Sequence, residues 1–176
     1  MLGAAGALCC LAAGSALGGW MRLRRMTRLN MLHALLDMLN AMRMLLETER
    51  MALPELLESC ADYAGTGEGA QIMRNRFCHA AHQLRQEPLE GMASAYAFAC
   101  AQSQNAWERE DEKAALESLF AQLGSGTAAM REQAAAACIR RLKPICEKAH
   151  TEAEKGGKLC IQLGMLLGLM AGIALW

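Results

Sequence analysis

Cysteine and histidine are the side chains in this chain with the most chemical capability. Cys78, His79 and His82 stand close together and could supply three metal ligands. On a helix, however, adjacent residues point about 100° apart, and no Cys-x-x-Cys pair offers a second half of the site. The pattern therefore favours a partly buried cysteine beside exposed imidazoles, and we expect neither a metal nor another cofactor.

Two further patterns resemble functional motifs but lack their essential parts. The glycine-rich segment 65–69 (Gly-Thr-Gly-Glu-Gly) has no Gly-Lys-Ser/Thr after it, so it indicates a flexible connection rather than a phosphate-binding loop. The four histidines are scattered, and no serine, cysteine or carboxylate pair stands at a spacing that suggests nucleophilic or general acid–base chemistry. We predict that the protein is not an enzyme.

Charge is distributed unevenly along the chain. The formal net charge of the whole chain is 0, whereas residues 29–138 carry eight basic and fifteen acidic side chains, a net charge of −7. A nucleic-acid-binding domain needs a basic face to replace condensed counterions. The central part of the chain is therefore predicted to have no nucleic-acid partner.

The chain carries long uncharged apolar stretches at its two ends, residues 1–21 and 159–176. A helix needs about 20 residues to cross the hydrocarbon core of a bilayer, so each stretch is long enough for one crossing. We expect a two-pass membrane protein with three parts: a first transmembrane helix (1–21), a helical bundle (22–158) and a second transmembrane helix (159–176). A cleaved signal peptide is the alternative for the N-terminus, but its positive charge would precede the apolar run.

Basic residues flank both apolar stretches on the side of the central domain. Lysine and arginine near the ends of membrane spans stay on the cytoplasmic side, which predicts a cytoplasmic bundle with both termini across the membrane. Trp20 and Trp176 fall at the edges of their spans, where amphipathic rings prefer to lie. The residues expected to determine this topology are Arg22, Arg24, Arg25, Arg28, Lys155 and Lys158.

The central domain reads as all-helical, because it is rich in alanine, leucine, methionine and glutamate and has no alternating polar and apolar stretch. Pro54 is predicted to lie in the first turn of the second helix. The third helix is expected at about 70–85, and the fourth is expected to begin near Pro88. Thr127 is a candidate N-cap for the helix that follows it. Pro144 and Gly156-Gly157 are expected to interrupt the last helix. Apolar residues at three- and four-residue steps are expected in the core of an antiparallel bundle, namely Leu32, Leu35, Leu39, Met42, Leu46, Leu119 and Leu123.

Glycines recur every four residues in both predicted spans. This spacing lines them along one helix face, where a neighbouring helix can approach closely in lipid. The glycines concerned are Gly14 and Gly18 in the first span and Gly164, Gly168 and Gly172 in the second. Either they pack the spans against each other or against a partner, or the repeat is only a consequence of composition.

Several of these segments together resemble the stage III sporulation protein AB family of endospore-forming bacteria. The resemblance covers nearly the whole chain. In the first half it depends on the N-terminal span with its arginines and on Leu-Pro-Glu-Leu-Leu at 53–57. In the second half it depends on Phe-Ala-Gln-Leu-Gly at 120–124 with Gln133 beyond it, and on Leu-Gly-Met-Leu-Leu-Gly-Leu at 163–169. Thr127 and Arg131 depart from the family pattern, in which an acidic residue and a glutamine follow the Leu-Gly turn.

The resemblance implies a bundle like the cytoplasmic domain of type II secretion F platform proteins. It also implies a non-catalytic scaffold in a sporulation-specific secretion-like channel complex, in the outer forespore membrane on the mother-cell side. The implied partners are a secretion-type cytoplasmic ATPase and other membrane proteins of the complex, with further copies of the chain also open. The alternative function is a membrane-anchored adaptor or chaperone-like regulator unrelated to secretion.

Overall fold

All regular structure in the described part of the chain is helical. The computed structural model describes the backbone of residues 2–48, 51–103 and 109–174, and the side chains of residues 16, 18–48, 51–103, 109–154 and 170. Within these ranges it contains helices and no strand, which confirms the predicted all-α class. The elements are α1 (Leu2–Thr48), α2 (Leu53–Ala61), a 3₁₀ turn (Asp62–Ala64), α3 (Glu68–Gln86), α4 (Gly91–Gln102), α5 (Glu110–Ser125) and α6 (Ala128–Ala174).

The chain divides into two compact units. One comprises Met1–Leu29 together with Lys148–Trp176, and the other comprises Asn30–Glu147. The second unit is a helical bundle, and the bundle range 22–158 expected from the sequence remains a prediction. Within it, α2 packs against α3, α3 against α4 and α4 against α5. The connections between these helices are short, as they are between antiparallel neighbours in bundles.

The long helices α1 and α6 both contribute to the core of the bundle unit. Of the apolar residues predicted for the core, Leu46 is partly buried and the other six are at most 2 % exposed: Leu32, Leu35, Leu39, Met42, Leu119 and Leu123. Ala135 and Leu142 of α6 are equally buried. An ion pair links the two helices at the edge of this core, with Arg43 Nη2 placed 3.4 Å from Glu132 Oε1.

Helix α2 begins as the sequence predicts, and glycines with unusual backbone angles follow the 3₁₀ turn after it. Pro54 lies in its first turn, where a missing N–H is no loss, and Glu55 complements the helix dipole. After the 3₁₀ turn, Gly65 (φ +73°) and Gly67 (φ +118°) adopt conformations that residues with a Cβ atom rarely reach. Segment 65–67 is therefore a turn with glycine-specific geometry. Helix α3 starts directly after it at Glu68, two residues before the expected start.

A turn precedes the first residue of α4, and a side-chain N-cap precedes the first residue of α6. Residues 87–90 form a turn in which the Glu90 amide donates to the Glu87 carbonyl at 3.2 Å, so α4 begins at Gly91 rather than at Pro88. Before α6, the Thr127 hydroxyl accepts a hydrogen bond from the Met130 amide at 3.4 Å, which confirms the predicted N-cap.

Helix α6 runs through Pro144 and Gly156-Gly157, so the predicted interruptions are wrong. Proline removes one helical hydrogen bond and leaves the carbonyl four residues earlier, that of Arg140, without its usual donor. Both Pro144 and Arg140 are exposed, so water can satisfy that carbonyl. A helix tolerates this loss at a solvated position more easily than inside a core.

Three helices meet around the buried ring of Phe120. The Tyr96 ring of α4 stacks on Phe120 of α5 with centroids 3.9 Å apart and planes at 10°. Phe77 of α3 meets the same ring edge-on at 5.6 Å and 74°. All three side chains are at most 2 % exposed. Such aromatic pairs contribute about 0.5–1.5 kcal/mol beyond the burial of their area.

Within the residues that the structure describes, no helix is both long enough and apolar enough to cross a membrane. The predicted spans, 1–21 and 159–176, have nearly all of their side chains outside these residues, and they remain predictions.

We predict that replacing Phe120 by alanine lowers the free energy of unfolding by about 3–5 kcal/mol, because it removes both ring contacts and leaves a cavity. The matched control is Phe98→Ala on α4, whose side chain is 43 % exposed and should change stability by less than about 1 kcal/mol. Urea unfolding of the full chain in mild detergent, followed by helical circular dichroism, measures both. Equal losses in the two variants would contradict this description of the core.

Candidate interaction surfaces

The cysteine and histidines that first suggested chemistry lie on the outer face of α3. Cys78, His79 and His82 are all exposed, and among the described residues no three histidine, cysteine or acidic side chains come together as a metal site. Partial burial raises the pKa of Cys78, and the nearby carboxylates Glu58 and Asp62 raise it further, whereas Arg74 lowers it. This face is a polar surface carrying one thiol with low reactivity at neutral pH.

The buried cysteines of the bundle behave as small apolar side chains. Burial raises the pKa of Cys60 to about 12 and that of Cys138 to about 11. Cys138 also donates a weak hydrogen bond to the Ala115 carbonyl, with 3.7 Å between sulfur and oxygen. Both thiols are therefore protonated at physiological pH and serve in packing.

Buried polar groups in the bundle fix helix ends. Arg76 is 2 % exposed and its Nε donates to Ser103 Oγ at 2.8 Å, while the same hydroxyl donates to the Cys100 carbonyl at 2.9 Å. This chain of bonds ties the C-terminus of α4 to α3. Glu112, 1 % exposed, accepts the Arg109 amide at 3.1 Å at the start of α5. These contacts position backbone rather than a reacting group.

The glycines predicted to pack the membrane helices lie mostly outside the described side chains. Gly18 is buried within its unit. The surroundings of the other four, Gly14, Gly164, Gly168 and Gly172, are outside the described residues, so the proposed packing face remains a prediction.

The basic residues predicted to determine topology fall into three groups. Arg22, Arg24 and Arg25 are exposed on α1. Arg28 instead lies 3.8 Å from Glu152 of α6 in the same unit, so its charge is shared with a carboxylate. Lys155 and Lys158 are outside the described side chains. The pairing of Arg28 was not predicted, because nothing in the sequence indicates that these two positions meet.

Helix α4 presents an exposed face without a charged side chain. No residue of Gly91–Gln102 is charged, and its buried residues, Met92, Ala95, Tyr96 and Ala99, fall on one side. The opposite side carries alanines, the 43 % exposed Phe98 and the polar Ser94, and the preceding turn adds the fully exposed Leu89. We call this the α4 surface and define it as Leu89, Ala93, Ala97, Phe98 and Ala101.

The α4 surface has an acidic edge. Glu87 and Glu90 flank Leu89 in the turn before α4, and the hydrogen bond and negative charge of Glu90 raise the pKa of Glu87. By contrast, the exposed faces of α3 and α5 carry charged side chains such as Arg85, Lys113 and Glu117. An apolar patch rimmed by polar groups is typical of a protein interaction site. The sequence analysis did not predict this surface. The signal that could have indicated it is a helical segment that has no charged residue and is too short to span a membrane.

Comparison with known proteins bears on nearly the whole length of the chain. The family model described as stage III sporulation protein AB matches residues 3–176. The chain belongs to the stage III sporulation protein AB family. Membership makes it a sporulation protein, and this family is not a known enzyme family. No curated protein and no solved structure matches the chain significantly.

For this family member we predict that thiol alkylation follows burial and pH. Iodoacetamide should label Cys78 in the folded full chain, and the rate should rise about tenfold per pH unit below its raised pKa, because the thiolate is the nucleophile. Cys60 and Cys138 should be labelled only after denaturation. Peptide mass spectrometry after timed labelling at pH 7, 8 and 9 measures each site. Labelling of the two buried thiols as fast as Cys78 would disprove their assigned burial.

Proposed function

We propose that the protein is a non-catalytic membrane scaffold of a sporulation-specific secretion-like channel complex. In this proposal the bundle lies in the cytoplasm of the mother cell, both ends of the chain cross the outer forespore membrane, and the bundle docks a secretion-type ATPase. Family membership supports a role in sporulation. The ATPase and the channel complex are what the family resemblance described above implies.

The observation that carries the docking role is the α4 surface. Its two large apolar side chains, Leu89 and Phe98, are exposed and lie in one patch with alanines. The other large apolar side chains exposed on the bundle unit, such as Met44, Tyr63 and Met130, are not part of this patch. Leu89 and Phe98 are long enough to enter pockets of a partner, and alanines between them allow close approach. The acidic edge at Glu87 and Glu90 selects a partner surface with an apolar centre and a basic rim.

Membrane anchoring is the second part of the proposal. It is supported by the two uncharged apolar stretches at the ends of the chain and by arginines that follow the first one. Within the membrane, the glycines at 164, 168 and 172 are proposed to pack the second span against the first, against another membrane protein of the complex or against a further copy.

The docking role predicts that the double variant Leu89→Ser, Phe98→Ser loses the ATPase. Both side chains are exposed, so the bundle should keep its stability, while loss of two apolar anchors should lower recovery of the ATPase about tenfold or more. The measurement is quantitative mass spectrometry of proteins that co-purify with the tagged full chain from sporulating cells. The matched control is Tyr63→Ser, which removes an aromatic ring exposed by 49 % elsewhere on the bundle.

Recovery of the ATPase with both variants at the wild-type level would contradict docking through the α4 surface. If the wild-type chain recovers no ATPase at all, the platform role fails and the adaptor or chaperone-like alternative takes its place.

The proposed topology predicts that Cys78 is shielded from the outside. A membrane-impermeant maleimide added to intact mother cells should leave Cys78 unlabelled, and permeabilising the plasma membrane should expose it, because the thiol is exposed on the bundle. Cys78→Ala identifies the signal from this site. Absence of labelling after the plasma membrane is permeabilised, with Cys78 labelled once detergent dissolves all membranes, would overturn the cytoplasmic assignment.

A further inference from the structure

Helix α6 carries basic side chains that have no counter-charge in the bundle unit. Arg140, Arg141 and Lys143 are exposed, and the side chain of none of them forms an ion pair or a hydrogen bond with a residue that the structure describes. By contrast, Arg43 pairs with Glu132 on α6. Guanidinium groups bind carboxylates in a two-pronged geometry. The two adjacent arginines of α6 are therefore available for carboxylates of a partner.

A groove between α5 and α6 lies beside these arginines. Alanine and serine side chains form most of its walls, and buried side chains form its floor, so the end of one apolar side chain of a partner can rest in it. Among the described residues that line it, Arg141 alone is charged. We call this the α5–α6 groove and define it as Ala115, Ser118, Leu119, Ala134, Ala137 and Arg141.

The turn between α3 and α4 has the complementary features. Leu89 is 100 % exposed, and Glu87 and Glu90 flank it. Neither carboxylate forms an ion pair within the part of the chain that the structure describes. They accept hydrogen bonds from the uncharged side chains of Gln83 at 3.3 Å and Ser94 at 3.2 Å. The hydrogen bond with Glu90 and the negative charge of Glu90 raise the pKa of Glu87, so a cation beside this turn would be favourable.

The turn and the groove do not meet within one chain. Leu89 is fully exposed, so it does not occupy the groove of its own bundle. An apolar side chain flanked by carboxylates is complementary, in charge and in polarity, to an uncharged groove flanked by guanidinium groups. When two complementary features lie at different places on one molecule, each copy offers one of each, and the contact is head-to-tail. The partner that these features select is a second copy of this chain.

We infer that the bundle associates with further copies of itself head to tail, with Leu89 of one chain in the α5–α6 groove of the next. Glu87 and Glu90 then pair with Arg140 and Arg141. The contact uses the turn and leaves Phe98 exposed, because Phe98 lies about 10 Å along α4 from Gly91. It goes beyond the proposed docking of an ATPase and does not depend on it.

Sedimentation velocity of the full chain in mild detergent tests this contact. The wild-type chain should form dimers and larger assemblies as its concentration rises. Arg141→Glu should weaken self-association about tenfold or more, because like charges then face each other across the contact. The matched control is Lys143→Glu, which makes the same change of charge on the same helix but points about 160° away from Arg141. It should associate like the wild type.

An exchange of charges identifies the two surfaces. The turn variant (Glu87→Arg, Glu90→Arg) and the groove variant (Arg140→Glu, Arg141→Glu) should each weaken self-association. All four substitutions on one chain should restore it, and so should mixing the two double variants, because opposite charges face each other again. Ala137→Leu fills the groove without a change of charge and should weaken self-association as well.

Four results would overturn the inference. The first is a wild-type chain that stays monomeric at every concentration tested. The second is unchanged association of both double variants, which would assign the contact to another surface such as the membrane helices. The third is an equal loss in Lys143→Glu and Arg141→Glu, which would assign the effect to net charge. The fourth is failure of both the fourfold exchange and the mixture to restore association.

Discussion

The stacking of Tyr96 on Phe120 is the contact on which the geometry of the bundle depends. Phe120 meets side chains from α3 and α4 at once, so it fixes the positions of three helices with one ring. The same contact determines the rotation of α4 about its axis. With Tyr96 turned inward, residues about half a turn away, such as Phe98, must face solvent.

Helix α4 carries uncharged side chains on its exposed side as well as on its buried side, which is unusual for a surface helix. A surface helix normally carries charges on the side that faces water. In α4 the outer side carries the polar Ser94, whose hydroxyl donates to Glu90 Oε2 at 3.2 Å. Arg76 and Ser103 hold the C-terminus, and Glu87 precedes the N-terminus. Small alanines on the outer side keep the exposed area modest in the free protein and leave room for a close partner.

Sequence periodicity predicted the helices and much of the core, because both depend on local spacing. Leu32, Leu35 and Leu39 recur at helical steps, and Pro54 and Thr127 mark helix starts by their own chemistry. Pairings between distant residues could not be predicted. Arg28 with Glu152 and Arg43 with Glu132 join positions about a hundred residues apart. The predicted interruption of α6 at Pro144 was wrong because the effect of a proline on a helix depends on whether the position is exposed to solvent, and the sequence alone does not give that exposure.

Glycine-specific angles at residues 65 and 67 restrict how this turn can drift during evolution. Every replacement of a glycine by another amino acid introduces a Cβ atom, and a Cβ atom strains both backbone conformations. Thr66, exposed between them, carries no such restriction. We therefore expect substitutions at residue 66 to be tolerated better than substitutions at residues 65 and 67.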